Sequence, residues 1–281
     1  MNFFEYLSMF NKPFVSVNIT TYNRASLLPR CLESVLNQNY KNIEIVIVDD
    51  CSNDNTTEIV KKYQEQDSRI KYFRHRINSG NAQARNTALK NCNGLYVAFL
   101  DDDDEWVDKN KINKQVEIFE KSGDLKLGIV CSGIIRSKIN GEKIIEKGEA
   151  PYNLKYQLLK GGWIHSSTVL TKKTIMEEVG GFDLEVLRGV DSEFFRRMTI
   201  LYNYNVIFME DITIQYNEDS NNRMTLVYNC DGYLKHIISQ YVNIKKYLKY
   251  LIKKPTILLF RVSIIIRLFL KYTKCKILYG K

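Results

Sequence analysis

Short apolar segments alternate with amphipathic segments along the first hundred residues of the chain. Four apolar segments are five to seven residues long and rich in β-branched and aromatic side chains, which is typical of strands buried inside a sheet. These predicted strands cover residues 14–20, 43–48, 70–74 and 96–100.

Between the predicted strands, apolar residues recur every three or four positions, as they do on one face of a helix. The predicted helices cover residues 26–38, 56–66 and 81–91, and Ser26 is a candidate N-cap for the first of them. Strands and helices that alternate in this way predict an α/β fold, in which helices cover both faces of a parallel sheet.

The polar residues that follow these strands are expected to meet. Right-handed crossovers place the carboxyl ends of parallel strands at one edge of the sheet, which is where open α/β sheets bind ligands. The residues that should converge there are Thr20, Tyr22, Asp50, Arg85 and the acidic segment after residue 100.

That acidic segment consists of four consecutive aspartates, Asp101 to Asp104. Adjacent carboxylates repel one another and need a counter-ion, which a hard divalent cation with oxygen ligands supplies. The segment therefore predicts a Mn²⁺ or Mg²⁺ site that can bridge to a diphosphate. A solvated acidic loop is the alternative.

Beyond the acidic segment the regular alternation ends. Asn140-Gly141 lies between alternating residues and indicates a hairpin, and glycines cluster with Trp163 at residues 161–167. The other predicted elements are helices at 111–121, before Gly180-Gly181 and at 194–202, and strands at 127–132, 168–170, 206–209 and 212–216.

The net charge of +9 is distributed unevenly along the 281 residues. The segment from Cys230 to Lys281 contains twelve lysines and arginines and one acid, Asp231, so it carries +11 and leaves −2 for the rest. Any acidic surface that the protein contacts is expected to meet this tail. No nucleic-acid recognition motif accompanies the charge, so we expect no nucleic-acid partner.

The six cysteines show no paired spacing. This pattern argues against a zinc site and against a disulfide framework, and it favours a reducing cytosol. Residues 1–12 lack a cationic start followed by a long apolar core, so no secretion signal is expected there.

Several separated motifs together resemble the family-2 glycosyltransferases, which have the GT-A fold. The motifs are residues 20–24 (TTYNR), 48–52 (VDDCS), Gly80 with 84–86 (ARN), 100–106 (LDDDDEW) and 189–191 (GVD). The resemblance covers about residues 15–224. The chain departs from the family pattern at Val190, where an acid is frequent, and at Cys51, where glycine is frequent; the second change is conservative in size.

The resemblance implies a fold and a division of the chain. The fold would be α/β of the GT-A type, with a Rossmann-like, mostly parallel sheet flanked by helices and a basic helical C-terminal extension. The divisions are a glycosyltransferase domain at 1–229, its nucleotide-sugar half at about 13–106, its acceptor half at about 107–229, and a basic, apolar helical tail at 230–281.

The resemblance also assigns donor-site roles. Thr20 and Tyr22 would contact the base, and Asp50 would accept a hydrogen bond from the uracil N–H, while Asp49 would hold the turn. Asp101 would face the ribose and Asp103 the metal. Arg85 would contact the nucleotide or its diphosphate, with an ion pair to the acidic loop as the alternative. Asp102 could replace Asp101 at the ribose or Asp103 at the metal. Asp104 would support or cap the loop, and Trp106 would pack beneath it.

On the acceptor side, the resemblance makes Asp191 the general base, and a helix N-cap is the alternative for this residue. Trp163 and His165 would border the acceptor, although a lone histidine is more often structural.

These roles together predict an inverting, metal-dependent glycosyltransferase. It would move a hexose (Glc, Gal or GlcNAc) from a UDP-sugar to a hydroxyl of a glycan acceptor, and the resemblance suggests an acceptor linked to undecaprenyl diphosphate in O-antigen, capsule or lipopolysaccharide synthesis. The alternatives are a non-catalytic module that binds nucleotide-sugar and a metal-dependent nucleotidyltransferase. A nucleotidyltransferase would normally carry a glycine-rich phosphate loop near the first strand, and residues 20–24 contain no glycine.

The tail predicts contact with a membrane surface. Residues 256–270 are strongly apolar but are interrupted by Arg261 and Arg267, and the segment is too short to span a bilayer. Basic charge beside apolar surface describes an interfacial segment on an anionic leaflet, which predicts a cytoplasmic protein held at the inner membrane. A helix packed on the catalytic domain, or against a second copy in a homodimer, is the alternative.

Overall fold

The computed structural model describes residues 12–217 and 229–279. The expectation about a secretion signal concerns residues 1–12 and so lies almost wholly outside the described residues. The last part of the family resemblance, up to residue 224, also lies outside them.

The first half of the chain forms the predicted parallel sheet. Its strands, in the spatial order β3-β2-β1-β4, are β1 (Val15–Thr21), β2 (Ile43–Asp49), β3 (Ile70–Arg74) and β4 (Tyr96–Asp101). The helices between them are α1 (Leu28–Leu36), α2 (Thr56–Gln66) and α3 (Asn81–Asn91). The existence and type of these seven elements are confirmed. The expected Ser26 cap is wrong, because the N-cap position is Leu27 and no side chain bonds there.

The register of the strands brings their carboxyl ends together. Thr20 pairs with Val48 on one side and with Asp101 on the other. The polar residues that follow β1, β2 and β4 therefore share one edge of the sheet, as expected from parallel pairing.

The second half of the chain extends the same sheet in mixed directions. The order continues β4-β8-β6-β9-β5, with β7 paired to β6. The elements are β5 (Asp104–Trp106), α4 (Lys111–Lys121), β6 (Leu127–Ser137), β7 (Lys143–Glu146), α5 (Leu154–Lys160), β8 (Leu170–Lys172), α6 (Lys173–Glu178), α7 (Val190–Ile200) and β9 (Asn205–Asn217).

The structure differs from the sequence prediction at three places in this half. One long strand, β9, replaces two predicted strands, because β9 stays paired to β6 through register shifts. Asp104 begins the short strand β5 rather than remaining in a loop, because β5 pairs with the end of β9. Helix α5 was not predicted.

Apolar side chains from the strands fill two cores, one on each face of the sheet. In β2, Ile43, Ile45 and Ile47 point to the face covered by α1, and Val46 and Val48 point to the face covered by α3 and α7. This alternation is the period of two that a strand imposes on its side chains. A sheet covered on both faces confirms the α/β class.

The tail forms two antiparallel helices, α8 (Cys230–Leu251) and α9 (Pro255–Tyr279), which together are called the C-terminal hairpin below. Tyr247, Leu251 and Ile257 are buried in the core on the α3 and α7 face. The hairpin therefore packs on the rest of the fold, as the alternative interpretation of the tail predicted. Within the described ranges, no helix combines the length and the apolar character needed to cross a membrane.

The cysteine prediction is wrong for one pair. Cys230 and Cys275 form a disulfide that joins the two open ends of the C-terminal hairpin across 45 residues of sequence. Their spacing carries no signal of this pairing, because only the folding back of α9 along α8 brings them together. The thiols of Cys31, Cys51, Cys92 and Cys131 are free.

Candidate active site

Two arginines neutralise the acidic segment at the edge of the sheet. Arg24, in the loop after β1, places Nη1 2.6 Å from Asp102 Oδ1 and 3.3 Å from Asp103 Oδ2. Arg85, on α3, is 3% exposed and donates from Nη2 to Asp101 Oδ1 at 2.5 Å. The arginines therefore meet much of the need for positive charge that the sequence assigned to a metal ion alone. For Arg85, the pairing is the one that the alternative interpretation predicted.

The neighbouring carboxyl groups titrate differently because their surroundings differ. Burial tends to raise the pKa of Asp101, but Arg85, His165 and the Ser166 hydroxyl outweigh it and hold this pKa below its usual value. At Asp102, burial dominates over the attraction of Arg24, and the charge of Asp103 adds to it, so the pKa rises to about 6. Asp101 is therefore the more firmly ionised of the two carboxyl groups.

Asp104, the last of the four aspartates, is buried and bonded to the glycine-rich segment at residues 161–167. Asp104 is 1% exposed and accepts a hydrogen bond from Ser167 Oγ at 2.5 Å. Trp106, also buried, donates from Nε1 to the Ser167 carbonyl at 3.0 Å and packs on the ammonium of Lys111. Burial lowers the pKa of Lys111 to about 7. The supporting role predicted for Asp104 and the packing role predicted for Trp106 are confirmed.

The residues expected to hold the nucleotide base line the same edge. The Tyr22 ring is 43% exposed at the mouth of the site, and Thr20 Oγ1 donates to Asn81 Oδ1 at 3.2 Å. Asp50 accepts backbone N–H bonds from Ser79 and Gly80, at 2.8 and 2.7 Å.

Asp50 therefore also holds the loop that leads into α3. His75 Nδ1 lies 2.7 Å from Asp50 Oδ1 as well, so this carboxylate already has three partners. Its assignment to the uracil N–H remains a prediction, and it requires a free lone pair on an oxygen that is already bonded.

Hydrogen bonds join the loops that follow β1 and β2. Asn23 N donates to Ser52 Oγ at 2.8 Å, and Asn53 N donates to Asn23 Oδ1 at 2.7 Å. Asp49 accepts from Ser52 N at 2.8 Å, which confirms that it holds the turn. Between them, Cys51 has φ of 71°. This left-handed conformation costs a residue with a Cβ about 1 kcal/mol, which explains why glycine suits the position. The replacement of glycine by Cys51 is therefore conservative in size but not in backbone conformation.

Residues 161–167, called the glycine loop below, lie across from the acidic segment. Ser166 Oγ donates to Asp101 Oδ2 at 2.7 Å. His165 packs edge-on against Tyr216, with 4.9 Å between ring centroids, and its buried Nδ1 has no hydrogen-bond partner among the described residues. Burial lowers the pKa of His165 and outweighs the opposite effects of Asp101, Asp191 and Asp103. The imidazole is thus neutral near pH 7. Trp163 is 48% exposed at the rim.

Asp191 lies in the first turn of α7, at the end of residues 183–193, which are called the base segment below. The N-cap of α7 is Gly189, with φ of 67° and no side-chain cap, so the N-cap alternative for Asp191 is wrong. Among the described residues, the Asp191 carboxylate has no hydrogen bond or ion pair, and it is partly exposed. The helix N-terminus favours a negative charge at this position, and the partly exposed side chain is open to a ligand.

The base segment and the glycine loop touch. A Cβ placed on Gly162 would lie 2.6 Å from Ser192 Oγ, so a glycine at this position lets the loop approach the first turn of α7. The contact brings Asp191, His165 and Trp163 to the same side of the site.

Asp103 is the aspartate that the resemblance assigns to a divalent cation. Arg24 Nη1 lies 2.6 Å from Asp102 and 3.3 Å from Asp103, and Asp104 is bonded to Ser167. In the part of the chain that the structure describes, no group of three or more histidine, cysteine or acidic side chains forms a metal site by itself. One carboxylate combined with phosphate oxygens and water is a usual way of binding Mg²⁺. The residues therefore fit a cation completed by donor phosphates.

Sequence reasoning did not assign a role to Arg24. The signal was present, because four adjacent acids at a sheet edge call for a cation and Arg24 lies in the exit loop of the neighbouring strand. It also missed the contacts of the C-terminal hairpin with the acceptor side, which depend on packing alone.

The chain matches the family model described as "Glycosyl transferase family 2" over residues 16–176, more than half its length. It is 37% identical over 163 residues to WfgD of Escherichia coli, described as a UDP-Glc:alpha-D-GlcNAc-diphosphoundecaprenol beta-1,3-glucosyltransferase. It is 30% identical over 238 residues to an uncharacterized glycosyltransferase of Methanocaldococcus jannaschii, and this match covers 82% of the chain and 76% of the relative.

The match to WfgD covers 58% of this chain and 61% of WfgD, so it spans less than two thirds of that relative. Among solved structures, the chain resembles the mannosyltransferase PcManGT from Pyrobaculum calidifontis in complex with GDP-Man and Mn²⁺. The TM-score is 0.65 at 19% identity, and the match covers 97% of this chain and 77% of PcManGT. This likeness shows a shared fold.

Proposed function

The chain belongs to glycosyl transferase family 2 and has the GT-A fold, and we propose that it is an inverting glycosyltransferase that uses a UDP-sugar. The sugar would be a hexose (Glc, Gal or GlcNAc), and the acceptor a hydroxyl of a glycan linked to a lipid diphosphate. The product would be a β-glycoside used in the synthesis of a surface polysaccharide.

The observation that carries this proposal is the arrangement of charge at the sheet edge. A cluster of acids held by Arg24 and Arg85 shares the sheet edge with the exposed side chain of Tyr22. Asp191, whose carboxylate has no hydrogen bond or ion pair within residues 12–217 and 229–279, lies on the opposite side. The first group suits a nucleoside diphosphate with a cation, and the second suits removal of a proton.

The reaction assigns one step to each group. The acceptor hydroxyl oxygen attacks the anomeric carbon, Asp191 accepts the hydroxyl proton, and the bond from that carbon to the diphosphate oxygen breaks so that UDP leaves. A single in-line displacement of an α-linked donor inverts the centre. A cation held by Asp103 would supply Lewis-acid charge to the leaving diphosphate. Tyr22 would stack on the base, and Asp101 would accept from the ribose.

The donor and the acceptor rest on relatives rather than on contacts. WfgD is described as using UDP-Glc and a diphosphoundecaprenol acceptor, whereas PcManGT was solved with GDP-Man, so family membership alone does not select the nucleotide. Asp50 favours uracil, because a carboxylate accepts from the pyrimidine imide N–H.

The family match favours glycosyl transfer over nucleotidyl transfer. Asp103 and Asp191 occupy positions that suit turnover, which argues against the non-catalytic module. Both alternatives predict a different result in the experiment that follows.

The test is a panel of UDP- and GDP-sugars incubated with the protein, a glycan acceptor and Mn²⁺ or Mg²⁺. We expect transfer of one UDP-hexose with inversion, measured by NMR of the product, and loss of transfer in EDTA. UDP should raise the melting temperature more with Mn²⁺ than with EDTA. Binding of UDP-sugar without product would indicate the binding module. In a parallel incubation with UTP and a sugar 1-phosphate, release of diphosphate would indicate a nucleotidyltransferase.

We also propose that the C-terminal hairpin contacts the inner leaflet of the cytoplasmic membrane. Exposed apolar residues on α9 recur at helical spacing on the side opposite its buried residues Ile257, Arg261 and Leu268. They include Leu259, Val262, Ile266, Phe269, Leu270 and Ile277. Residues 230–281, which include the C-terminal hairpin, carry the excess positive charge of the chain. Exposed apolar surface beside basic side chains is what an anionic membrane surface binds.

The membrane proposal predicts an effect of two surface substitutions. Leu259→Ser with Ile266→Ser should lower partitioning onto phosphatidylglycerol vesicles by about 10-fold or more, because each exposed side chain loses apolar burial in the interface. Sedimentation with vesicles measures it, and high salt should weaken binding of both proteins. Point substitutions test the proposal better than deletion of α9. Deletion would also remove Ile257 and Arg261, which are buried against the rest of the protein.

The matched control is Ile139→Ser with Ile145→Ser, two residues that are equally exposed on the catalytic domain. We expect this control to partition like the wild type. A hairpin variant that still pellets like the wild type would overturn the membrane proposal, and one that instead loses a dimer in analytical ultracentrifugation would show that the face pairs with a second copy.

A further inference from the structure

The C-terminal hairpin is bonded to the base segment through buried polar groups. Ser239, on α8, is 1% exposed, and its Oγ accepts hydrogen bonds from the backbone N–H groups of Leu187 and Arg188, both at 2.9 Å. These two amides lie three and four residues before Asp191. The hydroxyl therefore fixes the path of the chain as it enters α7.

A second contact lies on the other side of Asp191. Lys246, on α8, forms ion pairs with Asp183 and with Glu193, and its Nζ lies 2.9 Å from Glu193 Oε1. Glu193 is fully buried and also accepts from the Tyr247 hydroxyl at 3.0 Å. Lys246 thus joins the beginning of the base segment to the first turn of α7, and Asp191 lies between the two points.

The hairpin is also bonded to the helix that leads into the glycine loop. Arg261, on α9, is 3% exposed and donates from Nε to the Leu159 carbonyl at 2.5 Å, at the end of α5. Arg196, on α7, donates to the Leu158 and Gly161 carbonyls and to Asn243 on α8. The last turn of α5, which leads directly into the glycine loop, is therefore bonded to the hairpin and to α7 together.

These contacts are more specific than anchoring requires. Apolar packing of Tyr247, Leu251 and Ile257 suffices to attach the hairpin, whereas buried polar groups add desolvation costs that only well-aligned partners offset. Here the partners are backbone amides and acidic side chains of the base segment, which carries Asp191, and a carbonyl of α5, which leads into the glycine loop. Buried polar contacts of this kind fix one orientation among the several that apolar packing allows.

We propose that the C-terminal hairpin positions the acceptor side of the active site, with Ser239 and Lys246 as positioning residues for the base segment. The inference rests on the proposed function, because it takes Asp191 to be the base. It adds that the hairpin acts on transfer itself, on a water-soluble acceptor and without any membrane. A small displacement of a base relative to the acceptor hydroxyl is costly, since about 1 Å can lower a rate by about 100-fold.

The experiment compares Lys246→Met and Ser239→Ala with matched controls from the same hairpin. Lys235→Met removes an exposed lysine whose ion pair to Asp231 stays within α8. Ser263→Ala removes an exposed hydroxyl that bonds only to its own helix. Transfer to a soluble glycan acceptor, slow hydrolysis of the UDP-sugar and the KM for the donor are measured for each full-length protein.

We expect Lys246→Met and Ser239→Ala each to lower kcat for transfer by about 10-fold or more, while donor KM and hydrolysis stay within about twofold of the wild type. Both controls should behave as the wild type. Lys246→Arg should restore most of the transfer, because arginine can still pair with both acids.

Each contrary outcome has a distinct meaning. If the wild type transfers sugar but the variants and their controls transfer equally well, the positioning role is wrong. The role is also wrong if donor KM, hydrolysis and transfer change together, since this would indicate a general loss of structure. If Lys246→Met does not fold, Ser239→Ala decides between these outcomes. Absence of transfer by the wild type from any nucleotide-sugar would instead overturn the proposed function.

Discussion

Replacing Asp191 with asparagine is expected to lower kcat for transfer by about 10²- to 10⁴-fold, which is the usual cost of losing a general base. Asparagine keeps the shape of the side chain but cannot take the proton from the hydroxyl of the sugar acceptor. Because the Asp191 carboxylate has no hydrogen bond or ion pair among the described residues, its replacement should not disturb the fold. The measurement combines kcat for transfer, affinity for UDP and the melting temperature.

The control for this substitution is Glu185→Gln, which makes the same chemical change at an exposed position of the base segment. Its turnover should equal that of the wild type. If UDP affinity in Asp191→Asn fell as far as turnover, Asp191 would belong to the donor site or to the structure, and the assignment of the base would be wrong.

Replacing Asp103 with alanine is expected to abolish measurable transfer. The carboxylate assigned to the cation would be lost, so the protein would no longer hold the cation that neutralises the charge on the leaving diphosphate. Asp103 is buried at the edge of the sheet, 9% exposed, but its side chain fills no apolar core, so the melting temperature without ligand should change by only a few degrees.

Measuring UDP binding with and without Mn²⁺ distinguishes loss of the metal site from a general loss of structure. In Asp103→Ala, Mn²⁺ should no longer increase the thermal shift caused by UDP, whereas UDP alone should still bind through Tyr22 and Asp50. Asp108→Ala is the control, because Asp108 is a nearby acid that pairs with Lys114. Turnover near that of the wild type in Asp103→Ala would refute the metal assignment.

Hydrophobic patterning alone determined the first half of the fold. Strands β1 to β4 and helices α1 to α3 were predicted because each forms a continuous apolar segment or a helical stripe, and such patterns depend on residues that are neighbours in sequence. The convergence of Thr20, Asp50 and Asp101 followed from the same pattern, because parallel pairing allows few arrangements.

The second half of the fold was less predictable because its pairings are between distant segments. Strand β9 was divided in two by the sequence pattern, since its irregular pairing with β6 interrupts the alternation of side chains. The position of Asp104 in β5 depends on the end of β9, more than 100 residues away. Local patterns carry no information about such partners.

The charge partners of the site were decided by tertiary structure alone. The sequence identified the four aspartates and offered an ion pair of Arg85 with them as an alternative. Only the fold selects Asp101 as the partner of Arg85 and brings Arg24 to Asp102 and Asp103. In the same way, only the packing of α8 and α9 places Ser239 and Lys246 against the base segment and joins Cys230 to Cys275. The composition of the tail indicated a basic, apolar surface, but both a membrane and a protein core can bury apolar side chains, and the structure shows that the inner side of the hairpin is buried on the domain.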